Sequence, residues 1–350
     1  MDYAGVDAHT VEELLERHRA FWQRTPVDRP LLTVRPWQEY GFYKPFPAAD
    51  GAPIPDRTPL EPGLVDIRRY AGGVCPTTLL DGDFLQPWVV YDACWMEAML
   101  GCRVLTATGT TWAEHFVTDW AQVASLTSRR AGPWLNELLR TQIVLADLAG
   151  PERPIGQPLM RGPADMALAA LGSEMFGAGF YEHPGPLTDL LMTCTQIRLE
   201  AAYRRLQMTP RFHGGYCARD AWGVWSPGPL IDYQEDAAGL LSPKTYRQHI
   251  APLDRELARR FEYSLLHIHS GQMQMLPAML EIPELTAIQI AIDPQPYSPP
   301  AATLMGQFEA VQEAGKSLLV IGPMTQAELE LALARLSPTG LALRIGLIPE

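Results

Sequence analysis

His267 and His269 stand two apart in the run Ser264-Leu-Leu-His-Ile-His-Ser-Gly271. In an extended strand, residues i and i+2 leave the same face, so both imidazoles can converge on one point. Paired neutral imidazoles suit zinc or another divalent transition metal, which then needs a third protein ligand and an open position. Cys217, Asp220 and Asp293 are the candidates for that third place. Without a metal, the same histidines supply acid, base or hydrogen-bond chemistry. An ordinary alternative packs one histidine in the core and turns the other to a loop carbonyl. Ser270-Gly271 favours chemistry, because glycine permits a tight turn against a ligand.

The elements that must position these residues are short apolar runs. They fall at Pro30–Pro36, 87–91, 155–160, 211–216, 264–268, 286–292, 317–321 and 341–345. Helix-length segments separate most of them, including Pro186 to Leu206 and Pro243 to Phe261. Alternating strand and helix predicts a parallel α/β sheet, and eight units predict a (β/α)8 TIM barrel. We expect one domain over residues 1–350, with residues 1–29 as a helical extension. Residues 10 to 24 read as an amphipathic helix packed outside the barrel.

Barrel chemistry sits at the carboxyl ends of the strands. Those ends carry Arg35 and Trp37, Asp92, Arg161, Cys217 and Asp220, His267 and His269, Asp293, Gly322 and Arg344. Trp222 and Trp225 read as pocket wall, and Gln289 joins the substrate-binding candidates. Cys217 also has a plain reading as a small buried hydrophobe. Glu235-Asp236 reads as a solvated or helix-capping pair.

The net charge of −12, from 28 basic and 40 acidic side chains, argues against a nucleic-acid partner. The amino-terminal stretch carries acidic residues and no continuous apolar core, so neither a signal peptide nor a membrane anchor is expected, and a cytoplasmic location is. Five cysteines without a C-x-x-C pair argue against a disulfide framework.

Several blocks, in order, resemble the uroporphyrinogen decarboxylase superfamily. They are Val90-Tyr-Asp-Ala-Cys-Trp-Met-Glu-Ala-Met-Leu-Gly101, Arg161-Gly-Pro, Asp220-Ala-Trp-Gly-Val-Trp-Ser226, Leu241-Ser-Pro-Lys-Thr-Tyr246, Ile250-Ala-Pro and His267-x-His-Ser-Gly271. The resemblance covers roughly residues 25 to 350. For the decarboxylases it implies that Asp92 holds the substrate and stabilises charge as carbon dioxide leaves. This chain has Ala169 near the position of their tyrosine and no histidine near its carboxyl terminus. In the cobalamin-linked methyltransferase branch the matching segment reads His-x-Cys-Gly, and that histidine and cysteine bind zinc with a later cysteine. Here His267 matches the histidine, His269 replaces the cysteine, and no cysteine follows Cys217.

The resemblance thus implies a methyltransferase-like enzyme moving a methyl group between a small substrate or corrinoid and a thiol. Asp92, Asp220, His267 and His269 are the expected catalytic residues. Arg35, Trp37, Arg161, Trp222, Trp225, Gln289 and Asp293 are expected to bind substrate, and His267, His269 and Cys217 a metal. Zinc or another divalent transition metal is the expected cofactor, with a corrinoid supplied by a partner. The expected partners are a small-molecule substrate, a corrinoid protein and a second copy in a homodimer. A decarboxylase using Asp92, and a non-catalytic tetrapyrrole or corrinoid binder, are the alternatives.

Overall fold

The computed structural model describes residues 2–3, 6–37, 46–107, 110–127, 131–219 and 221–349. Its centre is a six-stranded parallel sheet of β1 (Leu31–Pro36), β2 (Leu230–Gln234), β3 (Tyr263–His269), β4 (Ala287–Ala291), β5 (Ser317–Met324) and β6 (Leu341–Leu347). The spatial order is β2-β3-β4-β5-β6-β1. Strands covered on both faces bury nearly every residue, and β2 to β6 do, whereas β1 is exposed from Val34 to Pro36. The period of two sorts them. Leu31, Leu230, Leu265, Ala287, Leu319 and Ala342 pack together on the inner face. Ile231, Leu266, Ile288, Leu318 and Leu343 join the larger core under the helices.

The expectation of eight strands closed into a barrel is met in part. Between β1 and β2 the ladder is interrupted. Two expected strands, 87–91 and 155–160, lie there, and isolated bridges pair Trp88 with Ile155 and Arg161 with Gln234. Pro87, Pro154 and Pro158 have no N–H to donate, which breaks regular pairing along both segments.

The expected strand at 211–216 is corrected. His213 and Gly214 take φ of 46° and 80° and turn the chain there. Only Tyr216–Cys217 is extended, in an antiparallel pair with Trp225–Ser226. Leu230–Gln234 fills that place in the sheet. Its Asp232 and Gln234 interrupt the apolar run that marks a buried strand, yet all five residues are buried.

The amino-terminal helix α1 (Ala8–Gln23) is capped by Asp7, whose carboxylate accepts the Thr10 N–H at 3.0 Å. Val11, Leu14 and Leu15 pack on Leu79, Leu85, Phe212, Cys217 and Trp225, while Phe21 and Trp22 reach the inner-face group. His18, fully buried, ties the helix down. Its Nε2–H donates to the Asp83 carbonyl at 2.8 Å, and its Nδ1 accepts the Trp225 N–H at 2.9 Å. Two further helices, α2 (Pro163–Glu182) and α3 (Pro184–Met208), pack against each other outside the sheet. No described helix is long and apolar enough to cross a membrane.

Candidate functional site

β3 ends by presenting His267 and His269 on one face, and β4 places Gln289 directly opposite His267 in the ladder. The oxygen Oε1 of Gln289 can only accept, so His267 carries its proton on Nδ1 and donates it there. Asp293, just past β4, accepts from His269 Nδ1 at 2.8 Å. With both Nδ1 atoms engaged, the two Nε2 atoms face each other at 3.2 Å.

Their surroundings pull the two rings apart in basicity. Burial, followed by the neighbouring His269, pushes His267 down to about 3, so it is neutral. The hydrogen bond to Asp293 raises His269 against the opposing effect of burial. The two Nε2 atoms, 3.2 Å apart, thus belong to rings of unequal basicity.

The third group is Asp236. β2 ends at Gln234, and the chain is then gripped from two sides. Glu235, fully buried, accepts the Ala164 N–H at 3.0 Å, where the amino end of α2 favours a carboxylate. A side chain at Gly162 would put its Cβ 2.1 Å from Glu235 Oε1, so only glycine admits this approach. Asp165 returns the contact by accepting the Ala237 N–H at 2.6 Å.

Gln272 joins this turn to β3. Its amide donates to the Asp236 carbonyl at 2.7 Å and its Oε1 accepts the His269 N–H at 3.0 Å. Asp236 is thereby turned towards the histidines, with Oδ1 4.0 Å from His269 Nε2. That oxygen is buried and has no hydrogen-bond partner among the described residues.

Asp236, His267 and His269 offer donor atoms all within 4.8 Å of one another. Two nitrogens bound at about 2.0–2.1 Å to one tetrahedral ion stand roughly 3.3 Å apart, close to the spacing of the two Nε2 atoms. The orphaned Asp236 oxygen and the two aligned imidazoles fit a divalent ion.

Around this cluster, Trp222 stacks on the His267 ring at 5.7 Å and 25°, and the Arg219 guanidinium lies 5.7 Å from the Trp222 ring centre. Arg219 Nη2 donates to Asp92 Oδ2 at 2.9 Å, and Asp92 Oδ1 accepts the Leu159 N–H at 3.2 Å. Arg161 pairs with buried Glu97 at 2.5 Å and donates to Cys94 Sγ at 3.2 Å. Arg35 and Arg344 share the carboxylate of Asp81 at 3.2 and 3.0 Å. Arg344 also donates to the Ala221 carbonyl at 2.7 Å, which links this ion group to the Trp222 loop. Trp37 lies beside Gly346, its N–H donating to the Leu347 carbonyl at 2.8 Å.

Two expected site residues lie apart from this cluster. Cys217 is buried in the apolar cluster beneath α1, and burial holds its thiol well above the ordinary range. Trp225 belongs to the same cluster, its indole N–H donating to the Phe212 carbonyl at 2.8 Å. Both lie in the hairpin of Tyr216–Cys217 with Trp225–Ser226, outside the central sheet. Asp220 lies outside the described residues. Applied to the observed β2, the rule that chemistry follows a strand end points to Glu235-Asp236: Glu235 is buried and caps the amino end of α2, as the capping reading expected, and the partly exposed Asp236 faces the histidines. Arg219 was missed as well. A cavity of about 400 Å³, lined by Trp22, Arg24, Thr286 and Lys316 among others, opens at the amino ends of the strands, away from this cluster.

No protein-family model matches the sequence, and no curated protein matches it. Among solved structures the chain is similar to a methyltransferase from Methanosarcina mazei. That likeness has a TM-score of 0.63 at 17% identity, covering 96% of this chain and 94% of the other. It establishes a shared fold over nearly the whole length.

Proposed function

We propose that this chain is a methyltransferase-like enzyme of the uroporphyrinogen decarboxylase superfamily that moves a methyl group between a small substrate or corrinoid and a thiol with the help of a divalent metal. The convergence of His267, His269 and Asp236 within 4.8 Å carries the reading, and the fold shared with a methyltransferase supports it. In this reading residues 87–91 and 155–161 stand for the second and third strands of a (β/α)8 barrel. The carboxyl ends of its strands then form one mouth.

His267 and His269 would hold the ion through Nε2, and Asp236 through Oδ1. A divalent ion held there would supply Lewis acidity that lowers the pKa of a substrate thiol. The protein's part is binding and orientation. Trp222 walls the cluster and keeps water from the His267 side. Arg35 and Arg344 bring two positive charges to the single carboxylate of Asp81, and Arg35 is more than half exposed, which suits an anionic group on the substrate. Asp92, held by Arg219, positions the substrate rather than acting as a free carboxylate.

The test is turnover of methylcob(III)alamin with a panel of small thiols by the zinc-loaded chain, followed by the corrinoid absorbance. Thiol-dependent demethylation that disappears in His267→Ala is the expected result. Decarboxylation of uroporphyrinogen without metal would favour the Asp92 lyase reading instead. Retained corrinoid binding with no turnover of any thiol would favour a carrier.

A further inference from the structure

Two side chains associated with β4 touch both histidines without belonging to the donor cluster. Gln289 is paired with His267 in the ladder. Asp293 follows it by four residues, so the period of two directs both toward the face that carries the imidazoles. Each takes one Nδ1–H, Gln289 from His267 and Asp293 from His269 at 2.8 Å. The two partners differ in kind. Gln289 is 1% exposed and neutral, as suits the wholly buried ring, whereas Asp293 is a carboxylate beside the half-buried one.

Asp293 is itself held in place. Its N–H donates to Ser270 Oγ at 3.2 Å, and Ser270 Oγ donates to Ser298 Oγ at 2.7 Å. An imidazole has two nitrogens, and committing the proton to Nδ1 sends the Nε2 lone pair to the shared point. Two neutral imidazoles, Asp236 and Asp293 together carry two negative charges, which balance a divalent cation.

We infer that Gln289 and Asp293 are positioning residues for the cation: Gln289 sets the tautomer of His267, and Asp293 sets that of His269 while contributing half of the compensating charge. The inference rests on the metal reading above. It extends that reading to two residues that bind neither metal nor substrate. Groups hydrogen-bonded behind a ligating histidine typically alter metal affinity about 10–100-fold.

The experiment uses the full chain, stripped of metal with a chelator and titrated with Co(II) by calorimetry, alongside long-range proton–nitrogen spectra of the histidine rings. Wild type is expected to take one ion per chain and to show both rings protonated at Nδ1. Gln289→Leu and Asp293→Ala, with unchanged circular dichroism, should each weaken Co(II) about 10–100-fold. In Gln289→Leu the metal-free His267 signal should become a mixture of tautomers. Asp293→Asn keeps an acceptor oxygen and should fall between wild type and Asp293→Ala. If either designed truncation fails to fold, the asparagine variant and Gln289→Glu, which retains an acceptor for His267, carry the comparison: the glutamate should keep Co(II) affinity and the asparagine should lose part of it. Wild-type affinity and an unchanged tautomer in the truncations would overturn the positioning roles while leaving the metal reading intact. Absence of Co(II) binding by wild type would overturn the metal reading, and this inference with it.

Discussion

Asp236 Oδ1 lies 4.0 Å from His269 Nε2 and has no hydrogen-bond partner among the described residues. A buried carboxylate oxygen left without a partner costs free energy unless a proton or cation completes it. Asp236 follows β2 and His269 ends the neighbouring β3, and Gln272 bonds to the backbone of both.

This relationship predicts which third side chain governs metal content. Asp236→Ala should lose zinc affinity on the order of a hundredfold or more, beyond the usual effect of a residue behind the ligands. Cys217→Ala should retain full stoichiometry, since that thiol is packed under α1. Elemental analysis of chain purified without a histidine tag distinguishes the two variants, and equal loss in both would restore Cys217 as a ligand.

His18 makes the attachment of α1 sensitive to acid. Burial lowers its pKa from 6.5 to about 4, so the unfolded chain binds the proton more readily than the folded one. The sign follows: stability is fully present above pH 6.5 and falls as the pH drops toward 4, by roughly 3 kcal/mol from this residue. Denaturant melts of wild type and His18→Gln across that window should show a smaller pH slope in the variant.

Gly162 is a packing prediction for the site. Gly162→Ala must displace the buried Glu235 carboxylate, which sits 2.1 Å from the new Cβ, at a cost of about 1–3 kcal/mol. Because Glu235 precedes Asp236, zinc affinity should drop together with the melting temperature. An alanine variant with wild-type stability and metal content would show that the turn has room to shift.

The Asp92–Arg219 pair separates methyl transfer from decarboxylation. If Asp92 only positions substrate, Asp92→Asn should raise KM and leave kcat within about tenfold, the pattern of lost uniform binding. A lyase that depends on this carboxylate would lose kcat instead. Since Asp92 is 41% exposed, the coupling between Asp92→Asn and Arg219→Met in a stability cycle should be small, about 1 kcal/mol or less.

Much of the architecture was legible in the sequence because strand and helix periods are local properties. The apolar runs at 264–268, 286–292, 317–321 and 341–345 all became parallel strands, and the His267-x-His269 spacing alone placed both rings on one face. Leu230–Gln234 was not legible, since two polar residues broke its apolar pattern. Their burial is tolerated because both side chains are hydrogen-bonded: Asp232 accepts the Arg219 N–H at 3.0 Å, and the Gln234 amide donates to Asp236 Oδ2 at 2.5 Å.

The sequence by itself therefore determined that two imidazoles share a face at a strand end, because side-chain alternation needs no partner. Only the tertiary structure decided what joins them. Asp236 reaches His269 through a turn clasped by α2 and Gln272, and Gln289 meets His267 through the register of β4, relationships that depend on hydrogen bonds between residues tens of positions apart. Cys217, closer in type to a metal ligand, was drawn into an apolar cluster by the helix that covers it.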